Sequence, residues 1–169
     1  GQNAVIKLRW GALPEDMKYD AAMPGIKFAR GENVKQSNWG ERFTTRYPQT
    51  RMGVEQILRD EFQAAKDYER AWQEYNAKKK TNPNLIPPRR DLEIETIVEI
   101  LQDKRQIHCH SYRQDEILAT MRVAEELGFH IDVFQHILEG YKVAEVMAEH
   151  KAAGSSFSDW WAYKFEVYD

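Results

Sequence analysis

The amino-acid sequence predicts an α/β fold with a parallel sheet, and one pattern carries most of this prediction. In the second half of the chain, short apolar segments that suit strands alternate with amphipathic segments that suit helices. This alternation is typical of βα units, in which each helix returns the chain so that the next strand runs parallel to the last. The predicted strands of this half are residues 106–110, 131–137 and 154–158.

The helices between these strands have recognisable ends. Asp91 can cap a helix whose apolar residues are Leu92, Ile97, Val98 and Leu101. A second predicted helix spans residues 115–127, and Gly128 suits a left-handed stop behind it. Residues 141–150 form the third predicted helix.

The first half of the chain is less regular. Residues 4–10 and 25–30 are predicted to be strands, with a turn or helix start at Pro14 between them. Residues 31–50 form a long loop, after which Thr50 can cap a helix that runs to about residue 77. The segment 78–90 contains three prolines and a cationic run, which predicts a solvated linker within a single domain of residues 1–169.

Composition argues against several functional classes. The 169 residues include 24 basic and 27 acidic side chains, whereas a nucleic-acid binder usually concentrates positive charge on one face. No apolar run approaches the roughly 20 residues that a membrane-spanning helix needs. The one cysteine, Cys109, excludes an intrachain disulfide, and the sequence does not determine a cellular compartment.

Two histidines occupy equivalent positions in successive βα units. His110 ends the predicted strand 106–110, and His136 lies near the end of the strand 131–137. Because neighbouring parallel strands lie about 4.8 Å apart and end at the same edge, these imidazoles can share one metal ion. His108 faces the same side of the sheet and is predicted to be structural, whereas His130 and His150 are predicted to lie at the surface.

A lysine within an apolar strand offers a third candidate ligand. Lys27 lies in the segment 25–30, where an amine is costly to bury unless it is paired or chemically changed. It either reaches water from the strand end or, once carboxylated by carbon dioxide, provides anionic oxygens that can bridge two metals. Glu32 is a competing oxygen ligand, and the residues alone do not choose between the two.

Several segments resemble a known enzyme family. The segments are GIKFARGENVKQ, PQTRMGVEQILRDEF, HSYRQDEI, FQHILEGYKVAEVMAEH and SDWWAYKFEVYD. They resemble the imidazolonepropionase-related branch of the metal-dependent amidohydrolase superfamily, in particular large bacterial proteins that carry such a barrel behind a propeller-type region. The resemblance implies a partial TIM-type (β/α) barrel, with this chain supplying about strands three to seven of eight. A periplasmic or secreted parent fits the resemblance, which also leaves a cytoplasmic one open.

The resemblance also implies a set of metal ligands. It places the strand-five ligand at His110 and the strand-six ligand at His136. The middle-strand ligand falls on Lys27, or on Glu32 if this branch uses a glutamate. The histidine pair of the first strand and the aspartate of strand eight have no counterpart at the matching places in this sequence.

The implied chemistry is hydrolysis of a C–N bond in a small-molecule or peptide-like amide, assisted by one or two divalent ions, zinc first among them. Arg51, Tyr112 and Arg113 are candidates for substrate contact. We expect the isolated chain to be inactive and, because Trp160, Trp161 and their aromatic neighbours would leave apolar surface uncovered, to self-associate or to contact the rest of its barrel. Two alternatives are a non-catalytic binding fragment and a helical scaffold protein.

Overall fold

The computed structural model describes residues 2–35 and 47–158, which form one five-stranded sheet with helices packed against it. The elements in chain order are β1 (Gln2–Asn3), α1 (Pro14–Met17), β2 (Gly25–Phe28), α2 (Arg51–Lys78), α3 (Leu92–Leu101), β3 (Gln106–His110), α4 (Gln114–Leu127), β4 (Val133–Gln135), α5 (Ala144–His150) and β5 (Ala153–Ser155). Two 3₁₀ turns, Gly31–Asn33 and Gly140–Val143, follow β2 and precede α5. Among the described helices, none is long and apolar enough to cross a membrane.

The sheet follows chain order, β1-β2-β3-β4-β5. Strands β2 to β5 are parallel to their neighbours, and only β1 runs antiparallel, beside β2. When successive parallel strands lie side by side, right-handed crossovers place every connecting helix on the same face. This is the arrangement of a barrel wall, so the predicted α/β class and partial barrel are confirmed.

The core lies between the sheet and the helices. Ile107, Cys109 and Phe134 project from β3 and β4 onto this side and are fully buried. They meet Phe62 of α2 and Ile117 of α4, both also fully buried. Burial raises the pKa of the Cys109 thiol to about 12, so Cys109 is a neutral core residue and a poor nucleophile.

The predicted helix ends are confirmed. The Thr50 hydroxyl accepts a hydrogen bond from the Gly53 amide at 3.0 Å, which begins α2 one residue later. Asp91 accepts from the amides of Glu93 and Ile94 at the start of α3. Gly128 has φ 76° and ends α4 in the left-handed conformation.

The predicted strand at residues 4–10 is wrong. Residues 4–10 contain only an isolated antiparallel bridge, Ile6 to Lys18, and the strand of this region is the two-residue β1. Val5, Ile6 and Leu8 are all at least half exposed, so within the described part of the chain these apolar side chains are not packed against the sheet. The predicted strand 106–110 is confirmed at its exact bounds as β3, and β2, β4 and β5 are shorter than predicted but lie in the expected places.

The segment between α2 and α3 is largely exposed, as predicted, but its end is anchored. Arg90 forms an ion pair with Glu95 at 2.6 Å, and the Tyr68 hydroxyl donates to the same carboxylate at 2.9 Å. The Arg90 and Tyr68 hydrogen bonds hold the pKa of Glu95 at about 2, below its usual range. The aromatic residues from Trp160 onwards and part of the loop 31–50 lie outside the described residues.

Candidate functional site

Polar side chains gather where β2, β3 and β4 end. In register, Lys27 pairs with His108 and His110 pairs with Gln135, so these residues share the sheet face opposite the helices. In a closed barrel this face is the interior, and parallel strands bring their carboxyl ends to the same rim. These residues therefore lie where (β/α) barrels carry their active-site residues.

The structure brings the two predicted histidines together. The ring centroids of His110 and His136 are 5.3 Å apart and the rings are tilted by 56°. His110 is 5% exposed. Because an imidazole nitrogen binds zinc at about 2 Å, two rings at this separation can address one ion after small side-chain rotations.

His136 reaches this face through an unusual backbone conformation. It follows the last residue of β4, and strict alternation would point it towards the helices because Gln135 points away from them. Its φ of 61° lies in the left-handed region, which costs a non-glycine residue roughly 1–2 kcal/mol. The turn places the His136 ring beside Lys27 and His110, and strain of this kind is common at functional sites.

Lys27 lies between the two strand ends. Its ammonium nitrogen donates to the Gln135 side-chain oxygen and lies 3.5 Å from Nε2 of His136. Burial is the main cause that lowers the pKa of Lys27. A lower pKa increases the fraction of neutral amine, which is the form that can bind a metal or react with carbon dioxide.

Two neighbouring side chains, Asn33 and Tyr112, contact the His110 ring. Neither contact could be predicted from the sequence. Nδ2 of Asn33, from the 3₁₀ turn after β2, lies 2.7 Å from Nε2 of His110. The Tyr112 ring packs edge-on against the His110 ring with centroids 4.4 Å apart. Tyr112 is 4% exposed, and its expected contact with substrate stays a prediction.

Phe157, Asn33 and Gln135 are the neighbours of the site that the sequence analysis did not single out. Phe157 lies two residues after β5 and stacks on His136, with centroids 5.3 Å apart and an interplanar angle of 11°. Asn33 belongs to the 3₁₀ turn Gly31–Asn33, two residues beyond the end of β2, and Gln135 directly precedes His136. Each lies at the end of a strand or in the loop that follows one, which was the signal available in the sequence.

The two remaining arginine candidates form ion pairs with acidic residues of α4. Arg51 forms an ion pair with buried Glu116, and Arg113 forms one with Asp115 at 2.9 Å. Glu32 belongs to the 3₁₀ turn Gly31–Asn33, and its side chain lies outside the described residues.

His108 lies deeper on the same sheet face than His110, next to Gly25, in agreement with a structural placement. The prediction that His150 lies at the surface is wrong. Its side chain is 5% exposed, its Nε2 accepts a hydrogen bond from the Ile131 amide at 3.3 Å, and its Nδ1 lies 3.1 Å from the Glu125 carboxylate. His130 stacks on it with ring centroids 4.9 Å apart.

The donor set fits part of a metal centre. Within residues 2–35 and 47–158, no cluster of three or more His, Cys, Asp or Glu side chains is arranged around a common point. The group at the strand ends instead consists of two imidazoles and one lysine. Two neutral histidines and a carboxylated lysine are suitable ligands for zinc, with further ligands required from elsewhere.

The chain is similar to a crystal structure of an amidohydrolase from Thermotoga maritima MSB8, with a TM-score of 0.76 and 33% sequence identity over 94% of this chain. This similarity supports an amidohydrolase barrel. The chain spans 38% of the length of that amidohydrolase. No family model and no curated protein matches the sequence.

Proposed function

We propose that this chain forms part of the active site of a metal-dependent hydrolase that cleaves C–N bonds in amides or cyclic amides. The observation that carries the proposal is the convergence of His110, His136 and Lys27 at the ends of parallel strands. The similarity of this chain to an amidohydrolase, at 33% sequence identity, supports a hydrolytic role for these residues. The segments HSYRQDEI and HILEGYKVA support the imidazolonepropionase-related branch in particular.

The metal ligands from this chain would be His110, His136 and Lys27, with Glu32 as the alternative to Lys27. Zinc suits imidazole and oxygen donors, and a carboxylated Lys27 could serve one ion or bridge two. Binding through Nε2 of His110 requires the Asn33 amide to move aside, because that amide lies within 2.7 Å of the nitrogen. The Tyr112 ring packs against the same imidazole and would help to hold it in place.

When bound, the metal would lower the pKa of a water molecule and polarise the amide carbonyl. The residues of this chain position that chemistry. Phe157 covers one face of His136, and Tyr112 covers the edge of His110, so both imidazoles are shielded from bulk water on one side. Arg113 is partly exposed beside Tyr112 and is a candidate for contact with a negatively charged part of the substrate.

The active site requires residues outside those described. The family resemblance places further histidines on the first strand and a general-base aspartate on strand eight, and we propose that both come from another part of the barrel. The isolated chain is then a poor catalyst. Its edge strand β5 is exposed along its whole length, so we also propose that the chain self-associates or pairs with the remainder of its barrel.

Zinc titration by calorimetry tests the ligand set. We expect His110→Ala and His136→Ala each to weaken zinc binding at least tenfold, because each removes one of few ligands. His108→Ala is the matched control, since it removes a histidine from the same strand and the same face. Equal zinc affinity in the wild type and both ligand variants would overturn the proposal.

A second measurement addresses activity and assembly. We expect no zinc-dependent hydrolysis of an amide panel by the isolated chain, and light scattering should give a mass above that of the monomer. Zinc-dependent turnover that is abolished by His136→Ala would show that the chain carries a complete site. A strictly monomeric chain at high concentration would contradict the assembly proposal.

A further inference from the structure

A groove with a volume of about 490 Å³ lies between α2 and α3. We call it the α2–α3 groove, and none of the proposed metal ligands lines it. One wall consists of residues that recur at helical spacing along α2, namely Tyr68, Glu69, Trp72, Gln73 and Asn76. The opposite wall comes from α3 and the residue that caps its C-terminus.

Two aromatic rings meet at an angle in this groove. Tyr68 and Trp72 are one turn apart on α2, with ring centroids 6.3 Å apart and planes inclined by 65°. The Tyr68 hydroxyl donates to Glu95 at 2.9 Å and accepts from the Asp91 amide at 3.3 Å, which fixes the position of its ring. Both aromatic side chains are partly buried and line the groove. Because the face of an aromatic ring carries negative potential, a fixed pair of this kind attracts a cation.

The charged side chains of the groove carry a net negative charge. Two carboxylates, Glu69 and Glu95, line it together with one guanidinium, that of Arg90. Arg90 donates to Glu95 through two hydrogen bonds of 2.9 and 2.6 Å, so these two charges balance each other. Glu69 accepts from the neutral side-chain amide of Gln102 at 2.5 Å, and among the described residues no cation lies within ion-pair distance of it. The Glu69 carboxylate therefore stands beside the aromatic pair without a counter-charge.

A large, weakly hydrated cation suits these walls better than a metal ion does. A hard metal ion takes about six oxygen ligands, and within residues 2–35 and 47–158 no group of three or more metal-binding side chains occurs. A quaternary ammonium carries its charge inside a shell of methyl groups. Such a head can contact the Tyr68 and Trp72 rings and the apolar side chain of Val98 while it stays close to Glu69.

We propose that the α2–α3 groove binds a small organic cation of the quaternary-ammonium class, with its charged head between the Tyr68 and Trp72 rings and beside the Glu69 carboxylate. Gln73 and Asn76 extend the groove with amide groups that can bond to a hydroxyl on the rest of the ligand. The Lys79 ammonium contacts Asn76 at 2.8 Å, about two turns of α2 beyond Glu69, which leaves the Glu69 end for the charge of the ligand. This proposal does not depend on the metal centre.

Thermal unfolding of the full chain with choline tests the proposal, at ionic strength held constant with sodium chloride. A parallel titration uses the neutral isostere of choline, in which a carbon atom replaces the charged nitrogen. A ligand that binds only the folded state raises the unfolding midpoint as its concentration rises. We expect choline to raise the midpoint and the neutral isostere to raise it much less, because only choline carries the charge that the rings and Glu69 attract.

Calorimetry with choline then locates the site. We expect Trp72→Leu to weaken choline binding about tenfold and Glu69→Gln to weaken it about threefold, because they remove a ring face and a carboxylate. The matched control is Glu74→Gln, which removes a carboxylate from α2 that does not line the groove. Its choline affinity should equal that of wild type.

The absence of a choline-dependent midpoint in wild type, or an equal rise with the neutral isostere, would overturn the proposal. Unchanged choline affinity in Glu69→Gln would also overturn it, whether or not Trp72→Leu folds. An equal loss of affinity in Glu69→Gln and Glu74→Gln would attribute binding to the overall charge of α2 and would overturn the assignment to the groove.

Discussion

Replacement of Glu116 by glutamine should destabilise the fold far more than the loss of an ordinary surface ion pair does. The Glu116 carboxylate is 5% exposed and pairs with Arg51, whose side chain is 30% exposed. The Ser111 hydroxyl lies 3.5 Å from the same carboxylate. The ion pair joins α2 to α4 and lies beside Gly31, the first residue of the 3₁₀ turn that carries Asn33.

The expected magnitude follows from burial. Removing one partner of a buried ion pair typically costs 3–5 kcal/mol, because the other charge remains desolvated. Arg51 retains partial exposure and glutamine can still accept hydrogen bonds, so we expect about 2–3 kcal/mol for Glu116→Gln. That is a large share of the roughly 5–15 kcal/mol by which domains are stable.

Urea denaturation measures this loss, and the chain offers a matched control. Glu126 pairs with Arg59 at 2.7 Å and also joins α4 to α2, but the Glu126 side chain is 60% exposed. Glu126→Gln should therefore cost no more than about 1 kcal/mol. Equal losses in the two variants would refute the argument that burial sets the value of the Arg51–Glu116 pair.

Two further predictions concern local features. Gly31→Ala should lower stability more than Gly128→Ala: both glycines have positive φ, but a Cβ at Gly31 would lie 2.9 Å from a Glu116 oxygen whereas Gly128 has nothing within 4 Å. Urea denaturation of the two variants measures the loss of stability. An equal loss in both would show that the contact with Glu116 adds nothing to the cost of placing alanine at a positive φ. Glu95 has a folded-state pKa of about 2 against an ordinary 4.5, so its interactions with Arg90 and Tyr68 stabilise the fold above about pH 4.5 and lose that effect as pH falls towards 2. Thermal midpoints of Glu95→Gln between pH 2 and 6 should vary less with pH than those of wild type, and parallel curves would contradict the ion-pair argument.

The helix ends and the parallel pairing of the strands could be predicted from the sequence, because both depend on interactions that are local in the chain. Thr50, Asp91 and Gly128 act on amides and dihedral angles within their own turns, so the helix ends could be assigned without knowledge of the fold. The alternation of strands and helices likewise predicts parallel pairing, because each connection is long enough to return the chain. Once β3 and β4 are parallel, His110 and His136 must lie near the same edge.

Tertiary structure decided which of these residues meet and which side chains are buried. Residues 4–10 have strand propensity, but among the described residues they pair only through the isolated bridge between Ile6 and Lys18, and they stay largely exposed. The left-handed turn at His136 moves its ring to the face of Lys27, which period-two alternation alone would not place there. Asn33 and His110 are 77 positions apart, and Arg51 and Glu116 are 65 apart. Such contacts depend on how the helices pack over the sheet, because packing alone determines which polar groups lose water and which partner replaces it.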